Sequence, residues 1–164
     1  MIDSHATAAR WSVSRTILLA GLAAAIVEML VVIPVQGLLG LSPLALFQSI
    51  ASGWQGNAAY AGGIAGALFG AALHLSFSII AAGIFVYASR IWPVLLQRYI
   101  SAGLIYGALV YAVMTYAAVP LSALRFGPVT DGSLIAASFA VHLCFFGLPI
   151  SLVTRFSSLR PRFS

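Results

Sequence analysis

Lysine is absent from the 164 residues, and acidic residues number three: Asp3, Glu28 and Asp131. Charged side chains make up only 7% of the chain, against about 25% in a soluble domain. A soluble fold of this length has no means of hiding a composition that is 62% hydrophobic, because small domains leave much of their surface exposed. The formal net charge of +5 comes from eight arginines. They flank apolar segments instead of clustering, which excludes a nucleic-acid partner. One cysteine, Cys144, excludes an internal disulfide. Set in an apolar run, it reads as an inert core thiol. Phosphate loops, zinc motifs and nucleophile–base pairs are also missing, so hydrolase and kinase classes find no support and an enzyme is the less favoured reading.

Long apolar runs are what the chain has in quantity. About 20 apolar residues cross a bilayer core. The runs predict spans over residues 16–39, 60–89, 100–119 and 133–153. The expected fold is all-α: an integral-membrane four-helix bundle in a single transmembrane domain, residues 1–154, with a basic cytoplasmic tail at 155–164. Pro34 is expected to kink or end the first span. A signal peptide competes for that segment, with a basic start and Ala23-Ala24-Ala25 as cleavage site. The apolar run continues well past those alanines, as a span does.

Between spans one and two, Ser42-Pro43 opens a short helix over 43–55, serine as N-cap and proline at the first helical position. Leu44, Phe47, Ile50, Ala51 and Trp54 recur at helical spacing with polar residues between them. The segment is too short to cross. It is expected to be an interfacial amphipathic helix with Trp54 at headgroup depth. A plug in the bundle mouth is the alternative. Four spans put the N-terminus, the 90–99 loop and the C-terminus on one side, with seven of the eight arginines; the other side holds only Arg125. The positive-inside rule then makes both termini cytoplasmic, in a bacterial inner membrane.

Small residues recur every four positions in the second span: Gly62, Gly66 and Gly70, followed on the same row by His74 and Ser78. Residues four apart share one helix face. Glycine facing lipid gains nothing, so this ridge is expected to meet another helix, as are Gly103 and Gly107 in the third span. Partners expected on this basis are the lipid bilayer and either a homodimer joined through the ridge or a membrane-complex partner.

Glu28, His74 and His142 all fall inside spans, where an ionisable side chain is expensive and marks function by default. Counted from Arg15, Arg90 and Arg155 they lie in one layer, and Tyr111, counted from Arg98, joins it. The four are expected to form one polar cluster. The first reading makes it glue for a small accessory or structural protein, with no cofactor. A second makes it a proton relay or the site of a proton-coupled carrier, in which Glu28 exchanges protons with His74 and His142. A third gives His74 and His142, with Glu28 as third ligand, to a metal or a b-type haem.

Gln48-Ser49-Ile50-Ala51-Ser52-Gly53, Gly66, Gly70 and His74, Val119-Pro120-Leu121-Ser122, and His142 with Gly147 and Pro149 carry a resemblance. With these residues the chain, over about residues 17–154, resembles a group of short four-span bacterial inner-membrane proteins. That group has no established activity. The resemblance implies the topology and says nothing of chemistry.

Overall fold

The computed structural model describes residues 11–123 and 131–158. Arg10, Arg125, Arg160, Arg162 and most of the expected 155–164 tail lie outside them. Among the described residues every regular element is helical. In chain order these are α1 (Val13–Leu38), α2 (Pro43–Gln55), α3 (Ala58–Ala61), α4 (Gly63–Ile91), α5 (Val94–Gln97), α6 (Tyr99–Val113), α7 (Gly132–Val141) and α8 (Leu148–Ser158). A π-helical turn, Met114–Ala118, extends α6, and another, His142–Gly147, joins α7 to α8. The resulting helices Val13–Leu38, Gly63–Ile91, Tyr99–Ala118 and Gly132–Ser158 are long and apolar enough to cross a membrane. The chain is an all-α, multi-pass membrane bundle.

Local chemistry sets the ends. The Ser12 and Ser42 hydroxyls accept from Arg15 N–H and Ala45 N–H, capping α1 and α2. Asp131 caps α7, accepting from the Ser133 hydroxyl and from the N–H groups of Ser133 and Leu134. Those donors, the hydroxyl first, hold its carboxyl below the usual carboxylate range. α1 does not end at Pro34: it runs through the proline to Leu38. The second span starts later than expected. Gly63 takes a left-handed φ of 54° at the head of α4, so Gly62 belongs to the turn after α3 and meets only its own segment. The fourth span runs past Val153 to Ser158. The hydroxyls of Thr154, Ser157 and Ser158 bond back to carbonyls one turn earlier, so a polar stretch stays helical.

The spans alternate in direction and interlock through small residues. A Cβ at Gly21 would lie 2.6 Å from Ile79 Cα, so α1 and α4 touch backbone to backbone. Gly103 and Gly107 meet the fourth span at Leu148, Ser151, His142 and Leu143, and Gly147 fits between them. The core is accordingly built from alanines with two large side chains, Phe85 and Ile150, fully buried. It occupies the half of the bundle nearer the described ends of the chain. Arg15, Arg90, Arg98 and Arg155 sit at that same end.

α2 and α3 together fill the ridge on α4. A Cβ at Gly70 would strike the Phe47 carbonyl, and one at Gly66 the Ala59 carbonyl. The Gln48 amide donates to Gly63 O at 2.9 Å and Tyr60 O at 3.4 Å, pinning α2 over the head of α4. The short helix has the expected bounds, and it tucks into the bundle mouth. A homodimer through the same glycines would have to displace it. Cys144 is exposed and does not belong to the core, because His142 and Phe146 take the inward side of that turn.

Replacing Gly70 with leucine drives a side chain into backbone that has no room to yield. The substitution is expected to lower stability in detergent by about 1–3 kcal/mol. Leu68→Ala, at a position 66% exposed, should change it by less than about 0.5 kcal/mol. Equal, small shifts in thermal unfolding would show that α2 is not seated on the ridge.

Candidate functional site

The packing register brings three of the singled-out polar side chains together. Glu28 on α1, His74 on α4 and His142 at the head of the second π-helical turn stand roughly 22 to 26 Å along their helices from the arginine-bearing end, at 1.5 Å per residue. The close contact at Gly21 sets α1 against α4 so that Glu28 faces His74. Gly107, pressed against the His142 backbone, sets the depth of the fourth span. Helix loosening helps to aim His142. Pro149 has no N–H to give, and just before it Leu148 N–H bonds Leu143 O, five residues back. Such π turns often accompany functional positions.

Glu28 is 5% exposed. Its two oxygens face different rings: Oε2 lies 3.7 Å from His74 Nε2 and Oε1 3.7 Å from His142 Nε2. These are ion-pair distances, longer than a direct hydrogen bond. The ring tautomers follow from the remaining partners, since a carbonyl oxygen only accepts. His142 Nδ1 donates to Ser138 O at 2.9 Å. His74 Nε2 donates to Ala25 O at 3.4 Å, so its N–H also points toward Glu28. With its proton on Nδ1, neutral His142 turns a lone pair from Nε2 toward Glu28 Oε1. Two lone pairs facing each other in a buried site are repulsive. One proton therefore belongs to the Glu28–His142 gap, on the carboxyl or on the imidazole. In either form the cluster of three is electrically neutral, which suits a site with little water.

Tyr111 reaches the cluster by its ring. It is buried and stands edge-on to His142, with centroids 5.4 Å apart, and to Phe139 at 5.3 Å. The phenol that bonds across the bundle is Tyr106, whose hydroxyl donates to Ala81 O at 2.7 Å while its ring packs on Phe85. Sequence reasoning passed over Tyr106. The signal was there: a phenol inside a span must find an acceptor, since lipid offers none.

A cavity of about 760 Å³ lies beside the cluster. Glu28, His74 and His142 stand in its wall, and Ser49, Gly53 and Trp54 of α2 roof it. The segment after α6 closes the roof, held by Ala123 N–H donating to Gly53 O at 2.9 Å. Ser122 lines the cavity there, with a buried hydroxyl that has no hydrogen-bond partner among the described residues. Phe77, Ile80 and Ile84 on α4 and Leu109 and Val113 on α6 both line the cavity and are 47–58% exposed on the outside of the bundle. The cavity therefore opens sideways between α4 and α6, and the described residues at this opening are apolar.

Among the described residues, no three His, Cys, Asp or Glu side chains group as metal ligands would. Axial ligation of a haem by both histidines would need iron between the rings, where the Glu28 carboxyl sits. Comparison with known protein families, curated proteins and solved structures finds no match to this chain.

If the proton in the gap couples Glu28 to His142, their substitutions should not add. Glu28→Leu and His142→Leu each strand the other partner, whereas the double variant removes both. Unfolding of all four proteins in detergent should give a coupling energy between about 0.5 and 3 kcal/mol. Additive effects would mean that the two side chains do not interact.

Proposed function

We propose that this chain is a proton-coupled carrier or relay of the bacterial inner membrane, which binds a small apolar molecule in its cavity and exchanges a proton at Glu28. The observation that carries this reading is a buried carboxyl held between two imidazoles in the wall of a cavity. A group meant only to brace helices gains from close packing on every side. This one borders open space that reaches the flank of the bundle. The exchange needs no cofactor: the proton passes between Glu28 and His142, and His74 steadies the carboxylate form through its Nε2–H.

One observation favours the plainer reading, an accessory or structural protein held by polar glue. The cluster joins three spans at once, α1 through Glu28 and Ala25 O, α4 through His74, and the fourth span through His142. Infrared spectroscopy of the reconstituted protein separates the two, because Glu28 is the one carboxyl inside a span. Under the carrier reading its C=O band appears and disappears with pH and shifts promptly in D₂O. Glu28→Gln, which keeps the shape, removes the band and leaves the fold intact. A band that ignores pH and deuterium would mark a sealed structural cluster.

Orientation follows the arginines. Arg15, Arg90, Arg98 and Arg155 share one end, and Arg10, Arg160 and Arg162 fall on the same side by sequence, leaving Arg125 alone opposite. Both termini are then cytoplasmic, and the resemblance of residues 17–154 to four-span inner-membrane proteins supports the same location. In a Cys144→Ser background, a cysteine at Gln55 should label from the periplasm in intact cells. One at Ser158 should label only after permeabilisation; labelling in the reverse order would invert the topology.

A further inference from the structure

The chemistry of the cavity wall narrows what it takes. Among the described residues, its ionisable side chains are Glu28, His74, His142 and the phenol of Tyr106, and none of the lining residues is an arginine. A phosphate or carboxylate head seated at the cluster would face the Glu28 acid, with no arginine among these lining residues beside it. Aromatic side chains line it instead, Trp54, Phe77 and Phe146, and aromatic rings attract cations over their faces. Met29 and Met114 add soft, adaptable surface. Entry is sideways through apolar residues, so the ligand must be soluble in lipid. The volume of about 760 Å³ lies within the range of pockets that enclose small organic molecules.

From these features we infer that the cavity binds a lipophilic organic cation, a single delocalised positive charge on an apolar body, seated against Glu28 in exchange for the proton held between Glu28 and His142. This rests on the carrier reading above. The charges balance. The neutral cluster releases one proton to water, Glu28 becomes a carboxylate, both histidines are neutral, and the ligand restores the lost positive charge. His74 keeps its Nε2–H directed at the carboxylate and His142 keeps its bond to Ser138 O, while the charge of the bound cation takes over the proton's part in offsetting the facing lone pairs of Glu28 and His142. On the elements packed around Glu28, the groups that titrate are His74 from α4 and His142 from the fourth span. α6 contributes the phenols of Tyr106 and Tyr111. α2 contributes no titratable group, and Arg15, Arg90 and Arg155 stand at the far helix ends.

Tetraphenylphosphonium tests this on the full chain in detergent, with the neutral triphenylphosphine oxide as its control. The cation should bind with release of about one proton, read from the dependence of the binding enthalpy on buffer. Its affinity should fall about tenfold per unit of pH on the acid side, the slope for one exchanged proton, and level off at alkaline pH. Glu28→Gln should lose at least tenfold in affinity together with the pH dependence, and Glu28→Asp should keep both. The neutral compound should bind at least tenfold more weakly than the cation. Equal binding of the neutral compound with no proton released overturns the cation and leaves the cavity standing as a binding site. Binding by neither compound overturns the cation proposal and the binding site with it, even where the infrared band shows that Glu28 still exchanges its proton.

Discussion

A carboxyl buried among three spans is the constraint on which the rest depends. Bare, Glu28 would be too expensive to keep inside a bundle. The chain answers with two imidazoles, one on each oxygen, and each imidazole is aimed by a carbonyl, Ala25 O for His74 and Ser138 O for His142. The carbonyls determine which ring nitrogen carries hydrogen. That choice makes the Glu28–His142 gap the seat of a single proton. A neutral cluster and the proposed proton exchange would thus rest on one arrangement. Holding it requires that three spans keep their depth relative to one another, to within a fraction of a turn.

Small residues supply that control. Gly21 against Ile79 sets α1 on α4, while Gly103, Gly107 and Gly147 set α6 on the fourth span. Backbone-to-backbone contact admits little sliding, because neither side can move without a collision. Close packing at the arginine-bearing end, where Tyr106 also joins α6 to α4, gives way toward the other end, where the two helices line the sides of the cavity. α2 covers what the divergence opens. Bundle, roof and polar wall thus form two halves: a tight one that positions three side chains and a looser one that opens a cavity beside them.

Much of the fold could be read from the chain, for physical reasons that particular segments show. Long apolar runs have one stable solution in lipid, so four helical spans followed directly, and Ser42-Pro43 marked the start of α2 to the residue. Counting along helices from arginines placed Glu28, His74 and His142 in one layer, since helical rise is nearly constant. Tertiary choices were less legible. The ridge of Gly66 and Gly70 announced a close neighbour without saying which: Gly70 meets α2 and Gly66 meets α3, and neither neighbour is a span. The turn at Gly62-Gly63 depends on a left-handed residue that composition alone does not betray. Tyr111 and Tyr106 look alike in sequence, and only the crossing of α4 and α6 decides which phenol finds a carbonyl. A cavity leaves no local mark at all, because it is the space between residues far apart in the chain.

The shared proton is the centre of this account, and nitrogen-15 spectra of the histidine side chains test it most directly. With only imidazole nitrogens labelled, wild-type protein in lipid should show His142 protonated at Nδ1 and His74 at Nε2. The His142 Nε2 signal should report a proton in exchange with a carboxyl. Glu28→Leu should return that nitrogen to a bare lone pair and leave Nδ1 protonated. A His142 ring protonated at Nε2 alone, or one whose spectrum is unchanged by the loss of Glu28, would contradict the arrangement and the proton exchange built on it.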